Sequence, residues 1–67
     1  MKLVGKDQLY LTYGRMYEVI AMRLVESIKP YIEYRIIDDI GSECWHKGSS
    51  FFTLEEWRDI KLVSLGI

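Results

Sequence analysis

The clearest alternation of apolar and polar residues runs from Tyr31 to His46 and predicts a β-hairpin. Residues alternate with a period of two over Tyr31–Ile37, as in a half-buried strand. The turn sequence Asp38–Gly41 (DDIG) follows. There aspartate bonds its own backbone and glycine takes a left-handed conformation. The chain then returns through Ser42–His46 as a second strand.

The same alternation divides the side chains of this hairpin between two faces. The face that we expect to form the core carries Ile32, Tyr34, Ile36 and Cys44. The opposite face carries Tyr31, Glu33, Arg35 and Trp45. Since Glu33 and Arg35 mark that face as solvent-facing, we expect Tyr31 and Trp45 to be exposed neighbours across the hairpin.

Earlier in the chain, Arg15–Leu24 predicts a strand that follows a turn at Gly14. Its alternation places Tyr17, Val19 and Ala21 on one face. A helix is the alternative, because Met16, Ile20 and Leu24 recur every four residues. The preceding glycine and the β-branched residues favour the strand. A shorter leading strand is expected within Met1–Gln8.

The end of the chain combines a helix-start signal with a second alternating segment. Thr53 and Glu56 form a capping-box pattern, which predicts a short helical turn over Thr53–Asp59. Ile60–Leu65 alternates and is predicted to be a closing strand; a continued helix is the alternative, with Trp57 and Ile60 on one face. The patterns together predict an all-β domain over residues 1–67, a small barrel of about five strands.

Composition narrows the classes of function. The 67 residues carry a net charge of −1 with no run of basic residues, which argues against binding to duplex nucleic acid. The single cysteine excludes an intramolecular disulfide, and this favours a reducing compartment. No window approaches the ~20 apolar residues of a membrane span. We therefore expect a cytoplasmic protein that makes no contact with a membrane.

Catalytic and metal-binding patterns are weak. Cys44 and His46 lie two residues apart and could begin a metal site or an activated thiolate, but no third member stands at a recognisable spacing. We therefore expect Cys44 to be a small core residue and His46 a rim residue, with no metal and no cofactor. Asp38, Asp39 and Glu43 are interpreted as a solvated turn. An enzyme is not expected, because no nucleophile, base and orienting group can be assembled.

Aromatic residues are the strongest functional signal. Nine of them stand in this short chain, and we expect some to form an exposed patch, since aromatics are enriched in interface cores. The predicted partner-binding residues are Tyr31, Arg35, Trp45, Tyr13 and Trp57. Two alternatives remain open: the tail covers these rings as a second core layer, or the patch stacks single-stranded bases.

Two segments also resemble a known family. Leu11–Val19 (LTYGRMYEV) and Tyr34–Trp45 (YRIIDDIGSECW) resemble small SH3-like barrel proteins of Gram-positive bacteriophages and mobile elements. Cys44 departs from the small residue that often precedes the family's tryptophan, and Thr53–Ile67 is an added tail. The resemblance implies a phage-encoded protein that binds or inhibits a host protein in the host cytoplasm. A barrel that binds single-stranded nucleic acid and a self-assembling structural protein are the alternatives.

Overall fold

Residues 1–64, which a computed structural model describes, form six strands, one short 3₁₀ turn and one α-helix. The strands are β1 (Lys2–Gly5), β2 (Met16–Glu18), β3 (Ala21–Val25), β4 (Tyr31–Ile37), β5 (Glu43–Lys47) and β6 (Phe51–Phe52). The 3₁₀ turn is Gly48–Ser50 and the helix, α1, is Leu54–Ser64. Strands dominate, and they form two antiparallel sheets with the orders β2-β1-β6 and β3-β4-β5.

The predicted hairpin is confirmed as β4 and β5. Arg35 pairs with Trp45, and Ile36 pairs with Cys44. The turn between the strands is closed by backbone hydrogen bonds of 3.0 Å from Asp38 N to Ser42 O and from Gly41 N to Asp38 O. Gly41 has a φ of 79°, the left-handed conformation expected of it.

The single strand predicted over Arg15–Leu24 is wrong, because the segment forms β2 in one sheet and β3 in the other. The N–H of Val19 donates to Met1 O, whereas the next N–H, of Ile20, donates to Arg35 O, each at 2.8 Å. The chain therefore crosses from one sheet to the other at Val19 and Ile20. One backbone hydrogen bond ties Val19 to Met1, next to the first sheet, and another ties Ile20 to Arg35 in the second.

This crossover also changes which side chains share a face. Tyr17 is buried and Val19 packs against the core, so these two share a face as predicted. Ala21 instead pairs with Arg35 on the outward face of the second sheet. Met22 pairs with Tyr34, so it lies on the side of that sheet from which the core is built.

The core lies between the two sheets. Its buried side chains are Leu3, Val4, Leu11, Tyr17, Ile36 and Phe51. Of the four hairpin residues expected in the core, Ile36 is fully buried, Tyr34 and Cys44 are half-buried, and Ile32 is 42% exposed. The sheets remain separate over residues 1–64 and do not form one closed barrel.

The helix begins at the predicted capping box but is longer than predicted. Thr53 N donates to Glu56 Oε1 at 3.0 Å, and Glu56 N donates to Thr53 Oγ1 at 3.1 Å. The closing strand predicted over Ile60–Leu65 is wrong as far as Ser64, where α1 continues, and Leu65–Ile67 lie outside the described residues. Helical spacing places the half-buried Trp57 and Ile60 on one side. In the part of the chain that is described, no helix is long and apolar enough to cross a bilayer.

Candidate functional site

The five residues predicted to bind a partner fall into two groups. Tyr31, Arg35 and Trp45 lie on the outward face of the β3-β4-β5 sheet. Tyr13 and Trp57 lie together where α1 meets the rest of the chain. The sequence analysis predicted one set of residues, but in the structure the two groups have different neighbouring residues.

On the outward face, Trp45 is half-buried beneath a cation. The Arg23 guanidinium carbon lies 4.2 Å from the centre of the Trp45 ring. Arg23 also forms an ion pair with Glu33, with 2.7 Å between Nη2 and Oε1. Arg35 Nε lies 3.1 Å from Glu43 Oε1, an ion pair whose angles do not make a hydrogen bond. Trp45 is thus held within a ladder of charged side chains.

Tyr31 and Trp45 are not neighbours, which corrects the sequence prediction. The pair Glu33 and Lys47 stands between them in the strand register. The Lys47 ammonium lies 4.8 Å from the centre of the Tyr31 ring. Each aromatic ring therefore already has a cation over it, and such pairs stabilise exposed sites by about 0.5–1 kcal/mol. A base that stacked on either ring from that side would have to displace the cation.

Tyr13 and Trp57 pack the helix against the first sheet. The ring centres of Tyr13 and Trp57 lie 5.3 Å apart, and Phe52 completes the cluster at 6.1 Å from Tyr13 and 5.9 Å from Trp57. Tyr13 packs edge-to-face against both other rings, with 74° and 89° between the ring planes, whereas Phe52 and Trp57 are tilted by 34°. The tail therefore contacts the Tyr13 ring, but Tyr13 remains 55% exposed, so the tail does not bury it as a core layer.

A second surface, which the sequence did not predict, lies on the opposite side of the β3-β4-β5 sheet. Met22, Leu24 and Ile32 are 61%, 60% and 42% exposed on the side that elsewhere faces the core. Leu24 pairs directly with Ile32, so the two side chains are neighbours. Beside them is an open depression of about 510 Å³, lined in part by Leu3, Leu24, Pro30, Ile32, Tyr34 and Phe51.

We call Met22, Leu24 and Ile32 the open apolar face. Sequence reasoning missed it because the alternation placed Met22 with Glu18 and Ile20 on the face opposite Tyr17, and Ile32 was expected in the core. The alternation of side chains shows which residues share a face of a strand, but it does not show how far the other sheet extends over that face. The one available signal was the apolar composition of β3 itself, in which Arg23 is the only charged residue.

The hairpin turn brings Asp38 beside Cys44 and His46. Buried Asp38 accepts hydrogen bonds at Oδ1 from the backbone N–H groups of Ile40 (3.2 Å) and Ser42 (3.0 Å). Cys44 Sγ donates to Asp38 Oδ2 at 3.2 Å and lies 3.1 Å from His46 Nε2. Asp38 is the third member that sequence reasoning did not find. Extending the alternation of β4 by one residue places it on the face of Ile36 and Cys44.

These surroundings favour the protonated form of the Cys44 thiol. Burial raises the pKa of the Cys44 thiol, and the hydrogen bond to Asp38 raises it further. Burial alone would raise the pKa of Asp38, but hydrogen bonds from Ser42, Cys44 and Ile40 outweigh it and hold that pKa below its usual range. A reactive cysteine needs a lowered pKa, so the trio in this state is not an activated nucleophile.

The solvated turn expected around the three carboxylates is found at Asp39 and Glu43, which are exposed, but not at Asp38. Asp38 is buried and holds the turn. Asp39 accepts bonds from Thr12 (2.7 Å), Arg15 (3.0 Å) and Tyr17 (2.6 Å), and Glu43 pairs with Arg35. Each carboxylate thus has its own structural partner.

The geometry thus offers three features that could carry a function: the charged outward face, the open apolar face and the Asp38–Cys44–His46 trio. None of them on its own identifies a family. Comparison with protein-family models, with curated proteins and with solved structures gives no match.

Proposed function

We propose that this chain is a small non-catalytic module that binds another protein, and that it does so at the open apolar face. The observation that carries the proposal is the set Met22, Leu24 and Ile32, three large apolar side chains exposed side by side. Contiguous exposed apolar surface in a small protein marks an interaction site more often than scattered single residues do. The depression of about 510 Å³ beside them supplies room for further apolar side chains.

The edge strand β3 indicates the form of the partner. Among the described residues β3 pairs with β4 alone, so its other edge presents unpaired backbone groups. Natural edge strands are commonly protected by charged side chains. Arg23 is the one charge in β3, and it is held against Glu33 and Trp45 on the outward face. An extended segment of a partner protein can therefore pair with β3 and place alternate apolar side chains against the open apolar face.

The residues predicted from sequence take different parts in this proposal. Tyr31 lies on the outward face, but it is the first residue of β4 and also borders the depression. Trp45 and Arg35 lie farther along the outward face, where Trp45 supports Arg23 of the edge strand. In this view Tyr31 contacts the partner, Trp45 stiffens the strand that the partner joins, and Tyr13 and Trp57 hold the helix.

We retain the SH3-like assignment and the phage origin as parts of the same proposal. The passage of one segment, from β2 through Val19 and Ile20 into β3, between two small antiparallel sheets supports an open form of such a barrel. On the family resemblance, the partner is a host protein, and the module acts by occupying or inhibiting it. The fold by itself does not specify the partner.

The test compares substitutions on the two faces of one sheet. Tagged wild-type protein captures partners from host lysate, the captured protein is identified and purified, and its affinity is measured by calorimetry for wild type, Leu24→Glu, Trp45→Ala and Ile28→Glu. Ile28 is fully exposed outside the strands, so Ile28→Glu controls for the added charge. We expect Leu24→Glu to weaken binding at least about tenfold, which is about 1.4 kcal/mol. Ile28→Glu should bind as wild type does.

Equal binding of wild type and Leu24→Glu would overturn the proposed surface. If only Trp45→Ala weakens binding, the partner lies on the outward face. Two further measurements separate the other functions. Sedimentation that shows a dimer broken by Leu24→Glu would assign the edge to a second copy. Binding of single-stranded DNA or RNA at low salt, where phosphate contacts are strongest, would favour a nucleic-acid module instead.

A further inference from the structure

We propose that Asp38, Cys44 and His46 form a binding site for one zinc ion. The three side chains offer a carboxylate oxygen, a sulfur and an imidazole nitrogen, and their ligand atoms lie within 4.8 Å of one another. This is a different feature from the open apolar face, and the proposal does not rest on protein binding.

The mixed donor set selects the metal by chemical class. Calcium and magnesium take oxygen ligands almost exclusively, whereas Zn²⁺ accepts thiolate, imidazole and carboxylate together. Within residues 1–64 the site offers three protein ligands. A tetrahedral ion would therefore keep its fourth position for water. Cys44 and His46 are half-buried, which leaves a path from solvent for the ion.

Two of the three separations between ligand atoms are close to those that a zinc ion needs. With Zn–S near 2.3 Å and Zn–N or Zn–O near 2.0–2.2 Å, ligand atoms of a tetrahedral site lie about 3.5 Å apart. The distance from Cys44 Sγ to His46 Nε2 is 3.1 Å, and that from Cys44 Sγ to Asp38 Oδ2 is 3.2 Å. The sulfur would have to move outward by a few tenths of an ångström, whereas the ligand atoms of Asp38 and His46, up to 4.8 Å apart, would have to move closer together.

The backbone fixes this arrangement in advance. Cys44 and His46 stand at alternate positions of β5 and therefore share a face. Asp38 is buried, and its Oδ1 is held by the N–H groups of Ile40 and Ser42, which leaves Oδ2 directed at the sulfur. Such outer hydrogen bonds orient a metal-binding carboxylate before the metal arrives. On binding, the thiol proton is released to solvent, and the two anionic ligands balance the charge of the ion.

The sequence makes a direct test possible, because Cys44 is its one cysteine and His46 its one histidine. Tag-free full-length protein, freed of metal and kept reduced, is titrated with Zn²⁺ by calorimetry and with Co²⁺ by absorption spectroscopy. We expect one equivalent per chain, a thiolate-to-cobalt charge-transfer band and the intense visible bands of tetrahedral cobalt.

Variants assign the ligands. Cys44→Ser, His46→Gln and Asp38→Asn should each weaken Zn²⁺ binding more than about 100-fold, since even outer-shell changes cost about 10- to 100-fold. Glu43→Gln, on the other face of the same strand, is the matched control and should bind as wild type does. Circular dichroism without metal checks that each variant is folded. If a variant is unfolded, the wild-type cobalt spectrum and stoichiometry decide.

Three outcomes would overturn the proposal. The first is no binding of Zn²⁺ or Co²⁺ at micromolar concentrations, in which case the trio is a hydrogen-bonded cluster only. The second is binding that survives in His46→Gln and Asp38→Asn. The third is half an equivalent per chain together with dimer formation in sedimentation, because two copies would then share the ion through Cys44.

Discussion

The phenol oxygen of Tyr17 donates a hydrogen bond of 2.6 Å to Asp39 Oδ1 and accepts one of 2.7 Å from the backbone N–H of Thr12. Tyr17 belongs to the first sheet, whereas Asp39 belongs to the turn that closes the β4–β5 hairpin of the second. Tyr17 is buried, so its hydroxyl depends on these two partners rather than on water. One polar link thus joins the two sheets at the edge of their shared core.

Loss of the Tyr17 hydroxyl should destabilise the fold. We expect Tyr17→Phe to lower the free energy of unfolding by about 2 kcal/mol, because it removes a bond to a charged group and leaves Thr12 N–H without its acceptor. Urea denaturation measures this, and Tyr10→Phe, at an exposed position, is the control. A double-mutant cycle with Asp39→Ala should show coupling between the two sites. Additive effects would mean that this bond does not link the sheets.

The same hydroxyl should make stability fall at alkaline pH. Burial raises the pKa of Tyr17, and the hydrogen bond to Asp39 raises it further. Because the folded pKa lies above the unfolded value of about 10, this contribution is fully present below pH 10. It is lost as the pH rises through the folded pKa. Urea midpoints measured between about pH 8 and 11 should therefore fall more steeply for wild type than for Tyr17→Phe. Parallel curves would contradict the assignment.

Alanine substitutions at two glycines distinguish the free-energy cost of a left-handed backbone conformation from the cost of steric crowding. Gly41 has a φ of 79°, and in the described structure an added Cβ would meet nothing within 4 Å. Gly41→Ala should therefore cost only the left-handed conformation, about 1–2 kcal/mol. Gly14 has a φ of 84°, and an added Cβ would lie 3.2 Å from two ring atoms of Trp57. Gly14→Ala should cost more, by the amount needed to move that ring.

The experiment compares both alanine variants in wild-type and Trp57→Ala backgrounds by urea denaturation. In the Trp57→Ala background the two glycine substitutions should cost the same, since the ring that crowds Gly14 is gone. If Gly14→Ala still costs more there, the difference comes from the turn and not from helix packing.

Much of the fold follows from local pattern. The alternation over Tyr31–Ile37 and the DDIG turn specify a hairpin through interactions that are near in sequence. The capping box of Thr53 and Glu56 is equally local. The crossover at Val19 and Ile20 is not, because it depends on bonds to Met1 and Arg35, residues distant in the chain. Ile60–Ser64 fits both the helical and the strand period, so local pattern does not decide its structure. It forms the end of α1, whose Trp57 packs against Tyr13, a residue distant in the chain.

The residues of the candidate sites also divide into those that local pattern predicts and those that depend on contacts distant in sequence. Cys44 and His46 could be paired from spacing alone, since alternate positions of a strand share a face. Asp38 joins them only once the register of the hairpin is known. The exposure of Met22, Leu24 and Ile32 depends on where the first sheet ends, a property of packing that a linear pattern does not contain. The aromatic residues were identifiable as a group, but their cationic neighbours were not, because Arg23 reaches Trp45 across β4.

The helix cap should make stability depend on pH at the acidic end. Glu56 accepts the N–H of Thr53, and this hydrogen bond lowers the pKa of the carboxyl group. Because the folded pKa lies below the unfolded value of about 4.3, the contribution is present above that value. It is lost as the pH falls through the folded pKa. Glu56→Gln keeps an acceptor for the capping bond but removes the titration.

The midpoint of urea unfolding is measured between about pH 3 and 7 in metal-free buffer, and the helical circular dichroism signal is used to monitor unfolding. Glu55→Gln is the matched control, since Glu55 stands in the same first turn but outside the Thr53–Glu56 pair. We expect wild type and Glu55→Gln to lose stability together on acidification, with a shallower loss in Glu56→Gln. A shallower loss in Glu55→Gln instead would assign the effect to the general attraction of acidic groups to a helix start.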